Sequence, residues 1–133
     1  MSEVEGDRLI SRKYASYGPM LVRALTTARA GGVKEHTFRP SGRVIRTVVG
    51  RLGDEFVDPE RHYCSCSDFF FRVLNGRAKT CYHLLSYAIA TELGKVDVIR
   101  MDDEEYGRFY SMLTKDVFGV LDRSGGVSPL HLP

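Results

Sequence analysis

The sequence predicts an α+β fold: an N-terminal helix, a small antiparallel β-meander, a cysteine-rich ββα-like module and a C-terminal helix. Three observations predict it. Apolar residues recur at helical spacing near the N-terminus, and β-branched runs separated by turn residues follow them. Three cysteines and a histidine then cluster within residues 64–83. The 133 residues fit one domain, and we find no internal repeat or second-domain boundary.

The N-terminal segment, residues 7–32, is predicted to be helical. Gly18-Pro19 interrupts it, so we expect a short helix and then a longer one with Pro19 in its first turn. Gly31-Gly32 is a suitable end for the second helix. The apolar stripe consists of Leu9, Ile10, Tyr14, Tyr17, Leu21, Leu25 and Ala28.

Residues 33–93 are predicted to form the meander and the cysteine-rich module. Turn residues at 40–42 and 53–54 separate expected strands at 33–39, 43–50 and 54–58, and residues 61–64 resume extended structure. Ser67 is expected to cap a short helix over 67–75, whose three phenylalanines, 69–71, are expected to be largely buried. Thr80 is expected to cap a stronger helix from Cys81 to about Leu93, and Gly94 to end it.

Residues 94–123 are assigned to a C-terminal helix, with its amphipathic part over 102–121. Residues 124–133 are rich in glycine, serine and proline and are expected to form a flexible tail. Candidate core or partner-facing positions of the last helix are Tyr106, Phe109, Tyr110, Leu113 and Phe118.

The cysteines form the pattern Cys64-x-Cys66, then fourteen residues, then Cys81-x-His83. Three thiolates and one imidazole are a common tetrahedral ligand set for structural Zn²⁺. The first pair shares a face of an extended segment, and the second pair lies at a helix start, where free N–H groups stabilise thiolate. We therefore predict one structural zinc ion. His62 shares the strand face of the first pair and is a rival ligand, and the alternative is three free buried cysteines with an incidental histidine.

Charge is distributed unevenly along the chain. Residues 8–51 hold ten basic residues and one acid, a net of +9, whereas residues 52–133 carry a net of −4. A basic first third suits an anionic partner such as single-stranded DNA, although a solvated charged surface has the same composition. The candidate nucleic-acid-binding residues are Arg23, Arg29, Lys34, Arg39, Arg43 and Arg46.

The cysteine–histidine pattern, with Phe69 after the second cysteine and Leu84-Leu85 after the histidine, resembles the SWIM zinc finger over residues 61–93. A wider resemblance, over residues 38–93, is to the Sws-type SWIM subunit of Shu complexes. It is carried by Pro40-Ser41-Gly42-Arg43, His62-Tyr63-Cys64-Ser65-Cys66, Phe69, Phe71 and Val73-Leu74.

The resemblance implies a non-enzymatic accessory protein of homologous recombination and DNA repair. Such a protein pairs with a RecA-family recombinase paralogue and acts on single-stranded DNA, with zinc held by Cys64, Cys66, Cys81 and His83. The alternative is a zinc protein that binds nucleic acid directly, in transcription, chromatin or RNA-related work, without a recombination role.

Other classes of function are not favoured by the sequence. It has no phosphate-binding glycine loop, and no glutamate follows His83 as a zinc deaminase requires. The acidic run at 102–105 is typical of a helix start rather than of an acid/base site. No apolar run would span a membrane and the first residues do not resemble a signal peptide, so we expect an intracellular protein. Because an enzyme is not favoured, we also expect no small-molecule substrate.

Overall fold

The computed structural model describes residues 2–51 and 53–123, with side chains described as far as residue 115. Within these residues the chain forms four α-helices and five strands. The helices are α1 (Glu3–Lys13), α2 (Pro19–Arg29), α3 (Tyr82–Leu93) and α4 (Tyr106–Arg123). The strands are β1 (Val33–Arg39), β2 (Val44–Gly50), β3 (Gly53–Asp58), β4 (Tyr63–Cys64) and β5 (Asp97–Asp102).

The strands form one mixed sheet in the order β4-β3-β2-β1-β5. The first four are consecutive antiparallel neighbours, so the predicted meander is confirmed. In its register, Val33 faces Val48 across the first pair and Val57 faces Cys64 across the last. The protein is therefore α+β, and the meander ends on the first cysteine of the cluster.

The sequence analysis did not predict β5. Residues 94–123 were assigned to a helix, but Asp97–Asp102 pairs in parallel with β1, and α4 begins only at Tyr106. The run of acids marks this boundary: the Glu105 carboxylate accepts a hydrogen bond of 3.0 Å from the Asp102 N–H, completing a capping box. Pairing with a strand about 60 residues earlier is a long-range interaction, for which the local sequence carries only a weak signal.

Two apolar cores lie on opposite faces of the sheet, because alternate residues of each strand point to opposite sides. One core packs the sheet against α2 and α3; its members include Val33, Val48, Val57, Ala24, Ala28, Leu85 and Ile89. The other packs it against α4 and comprises Phe38, Ile45 and Leu113, with Phe56, Met101, Tyr106 and Phe109 at its edge. The described part of the chain is thus a sheet between two helical layers.

The N-terminal segment is helical, as predicted, with a break before Pro19. Helix α1 begins at Glu3, earlier than expected, because the Ser2 hydroxyl accepts a hydrogen bond from the Glu5 N–H. Pro19 lies at the start of α2. An ion pair between Arg29 and Asp7 and another between Lys13 and Glu92 tie α1 to α2 and α3.

Two predictions lie outside the described residues: the flexible tail at 124–133 and the position of the Phe118 side chain. In the part of the chain that is described, no helix is both long and apolar enough to cross a bilayer.

Candidate metal centre

The four predicted ligands lie together in the structure. Cys64 ends β4, Cys66 follows two residues later, Cys81 is the N-cap of α3 and His83 lies in its first turn. The four potential ligand atoms all lie within 4.8 Å of one another, and all four residues are buried. Cys81 therefore takes the capping position that the sequence analysis assigned to Thr80. This cluster could hold a metal ion such as zinc.

The dimensions and chemistry of the cluster fit such an ion. Zinc–sulfur bonds of about 2.3 Å place tetrahedral thiolates about 3.8 Å apart, so the cluster would have to contract by an ångström at most. Both ring nitrogens of His83 are buried and have no hydrogen-bond partner among the described residues. Because buried polar atoms are nearly always bonded, these two nitrogens point to a missing ligand, which a metal bond to one of them would supply.

Backbone N–H groups also face the sulfur atoms. The Phe69 N–H donates a hydrogen bond of 3.3 Å to Cys66 Sγ. Hydrogen bonds from the Cys64 and Cys66 thiols and from the Leu84 N–H hold the pKa of Cys81 well below its ordinary value. Burial raises the pKa of Cys64. Thiols must lose their protons to bind a metal, so a cation bound here would take the place of the thiol protons.

Gly50, at the end of β2, makes room for the histidine. A Cβ atom built on Gly50 would lie 2.8 Å from His83 Nε2 and 2.8 Å from the Gly53 carbonyl oxygen. Any side chain at this position would press on the imidazole ring. The sequence analysis missed this residue, because a glycine before a turn is unremarkable until its neighbour across space is known.

His62 is not part of the cluster. It adopts a left-handed backbone conformation with φ 51° and ψ 55° at the end of a short 3₁₀ turn, Pro59–Arg61. Its Nε2 lies 2.8 Å from the Lys79 carbonyl oxygen, to which it donates a hydrogen bond. The strand alternation that made it a rival ligand does not apply, because the strand begins one residue later.

The segment between the two ligand pairs differs from the prediction. It contains a single π-helical turn, Phe69–Val73, preceded by Asp68 rather than by Ser67 as the N-cap. Phe69 is buried and packs edge-on against Tyr63, with ring centroids 5.3 Å apart. Phe70 and Phe71 are 45% and 42% exposed, so the prediction that all three phenylalanines are largely buried is wrong for these two.

The predicted nucleic-acid-binding residues are spread over α2, β1, β2 and the turn between these two strands, and three of them are in ion pairs. Arg29 pairs with Asp7, and Arg46 lies 3.3 Å from Glu35. Arg43 lies 3.9 Å from Asp103, and its guanidinium also stacks on the Tyr106 ring at 3.9 Å. These guanidinium groups have local structural partners, which reduces their availability to a nucleic acid.

The other three candidates are less engaged. Lys34 and Arg39 lie on β1, and neither is in an ion pair of the described residues. Arg23 stacks on the Tyr82 ring at 4.1 Å, beside the metal cluster. There it shares a groove with Arg51 and Arg72, two residues that the sequence analysis did not propose for this role.

Comparisons of this chain with family models, with curated proteins and with solved structures find no match. The relationship to SWIM proteins therefore stays a prediction from the motif residues, and the structure adds to it a buried cluster of three cysteines and one histidine that could hold a metal ion.

Proposed function

We propose that the cluster binds one structural Zn²⁺ ion in a SWIM-type module. Soft thiolates with an imidazole select zinc over the oxygen-preferring cations. Four protein ligands complete a tetrahedral shell, whereas catalytic zinc sites keep a position for water or substrate. The ion would fasten the end of the meander to the start of α3, and the function would lie on the surfaces that it positions.

The protein, in this proposal, is a non-enzymatic adaptor that pairs with a RecA-family recombinase paralogue and supports homologous recombination and DNA repair on single-stranded DNA. The motif resemblance supplies the class of partner. One observation supports an adaptor role in particular: three apolar side chains are exposed on the segment between the two ligand pairs. We name Phe70, Phe71 and Leu74 the Phe patch; their exposed fractions are 45%, 42% and 64%.

The Phe patch has the properties of a docking site. The Phe70 and Phe71 rings pack edge to face with centroids 5.2 Å apart, which holds them as one surface. Buried Phe69 and the two pairs of ligands anchor the segment on the inside and at both ends. Full burial of one such side chain is worth roughly 1.5–3 kcal/mol, and a few aromatic anchors commonly supply most of the energy of an interface.

A binding experiment tests the adaptor proposal. The tagged, zinc-loaded chain would be mixed with the RecA-family paralogues of its own organism, with nuclease present so that DNA cannot bridge the two proteins. We expect recovery of one paralogue, and loss of that recovery in Phe70→Ser and Phe71→Ser. Val4→Ser, at a 68% exposed position on α1, is the matched control. The proposal fails if no paralogue is recovered, or if the Phe patch variants, shown to be folded and zinc-loaded, bind as the control does.

A further inference from the structure

An open groove runs beside the metal cluster. It has a volume of about 420 Å³, and Cys66 and His83 form part of its wall. Three arginines from separate parts of the chain line it: Arg23 from α2, Arg51 from the turn between β2 and β3, and Arg72 from the π-helical turn. No lysine is among its lining residues.

The groove continues into a second one of about 390 Å³. The two grooves share Arg23, Gly50, Arg51 and Tyr82. Arg23 and Arg51 therefore lie where the two grooves meet. The second groove extends along α2 past Thr26 and Thr27. An elongated ligand, rather than a single small ion, matches this shape.

Charge at the rim of the groove favours an anion. Arg23, Arg51 and Arg72 are all exposed. Arg72 lies 3.2 Å from Asp68, but the ion pairs of the described residues include neither Arg23 nor Arg51. Of the acidic groups in the lining, Asp68 is partly exposed but is paired with Arg72. Glu55 is 2% exposed and accepts a hydrogen bond from the Ser65 hydroxyl, and Cys66 is 3% exposed. A polyanion at the rim therefore meets the guanidinium groups first.

The Tyr82 side chain contacts two of the arginine residues. The Arg23 guanidinium stacks on its ring at 4.1 Å, and the backbone N–H of Arg51 donates a hydrogen bond to its hydroxyl, which fixes the turn that carries Arg51. Tyr82 also lies between the two metal ligands of α3 in the chain, so the metal cluster and the arginine pair depend on the same first turn. A guanidinium group held in this way, as that of Arg23 is, binds phosphate with little loss of side-chain freedom.

We propose that this groove binds the phosphodiester backbone of single-stranded nucleic acid, through Arg23, Arg51 and Arg72. Guanidinium groups bind phosphate in a two-pronged geometry, and a basic groove that follows a single strand is a common way to bind it without sequence preference. The inference rests on the zinc module of the proposed function but not on the recombinase paralogue as partner.

Fluorescence anisotropy tests the proposal, using the full zinc-loaded chain alone and a labelled 20-nucleotide oligo-dT. We expect salt-dependent binding, and about a tenfold loss of affinity in Arg51→Gln, with similar losses in Arg23→Gln and Arg72→Gln. Each lost contact should also lower the slope of log affinity against log salt by about 0.7. Arg100→Gln is the matched control, because Arg100 is exposed on β5 and does not line the groove.

Zinc content, measured for every variant, separates a lost contact from a lost fold. Absence of binding, salt-independent binding, or an equal loss in the Arg100 control would overturn the proposal. Displacement of the oligonucleotide by poly-glutamate at equal charge concentration would also overturn it and would assign the groove to acidic protein segments. The partner is absent from this experiment, so its failure and failure of the adaptor proposal are distinguishable.

Discussion

Replacing Gly50 with alanine should weaken metal binding without touching a ligand. The new methyl carbon would lie 2.8 Å from His83 Nε2, whereas ordinary contacts of a Cβ atom begin at 3.4 Å. The ring would have to move by about 0.6 Å, which is 3.4 Å less 2.8 Å. A shift of the methyl group away from the ring would not remove the clash, because the Gly53 carbonyl oxygen would also lie 2.8 Å from that methyl carbon.

A shift of this size exceeds the tolerance of a metal site, in which bond lengths hold within about 0.2 Å. Overpacking of this kind costs roughly 1–3 kcal/mol. If the whole cost falls on the metal-bound state, zinc affinity drops by about 5- to 150-fold, since 1.4 kcal/mol corresponds to a factor of ten.

Competition with a chromophoric chelator measures the affinity, and circular dichroism checks the fold. Gly107→Ala is the matched control: a Cβ there meets nothing within 4 Å, and the exposed position in α4 should gain stability of up to about 1 kcal/mol from helix propensity. A folded Gly50→Ala protein that binds zinc as tightly as the control does would refute the reasoning.

Three further outcomes follow from the structure. Stripping the metal with a chelator should lower the melting temperature and expose amides of residues 60–93 to hydrogen exchange. The reason is that the apparent binding free energy of structural zinc in small fingers, about 10–16 kcal/mol, is as large as the free energy of unfolding of a whole domain, about 5–15 kcal/mol. An unchanged melting curve would contradict a structural role. Phe38→Ala should cost about 3–5 kcal/mol in urea unfolding, because Phe38 is 0% exposed between the sheet and α4; a cost under 1 kcal/mol would mean that this core is not packed as described. Burial lowers the pKa of His36, so the unfolded chain binds the proton more readily than the folded chain does, and the free energy of unfolding should fall as pH drops below about 6.5. His36→Gln should make that fall shallower than in wild type. Equal pH slopes for the two proteins would contradict the lowered pKa of His36.

Local chemistry determined much of the candidate site. Cys64 and Cys66 lie at a strand end, and Cys81 and His83 at a helix start, as their spacing predicted. Each pair is positioned by structure formed within a few residues, so short-range patterns were sufficient. The meander followed from the same kind of signal, since its strands are neighbours in sequence and are separated by recognisable turns.

Tertiary structure decided what depends on distant residues. The pairing of β5 with β1 spans about 60 residues, and only the folded sheet shows that this edge was available. The outward orientation of Phe70 and Phe71, the contact of Gly50 with His83, and the meeting of Arg23 with Arg51 and Arg72 arise in the same way. Sequence alone thus determined which residues could bind a metal, whereas the packing of the sheet against α2 and α3 determined what surrounds them, because side chains far apart in the chain become neighbours only when the backbone folds.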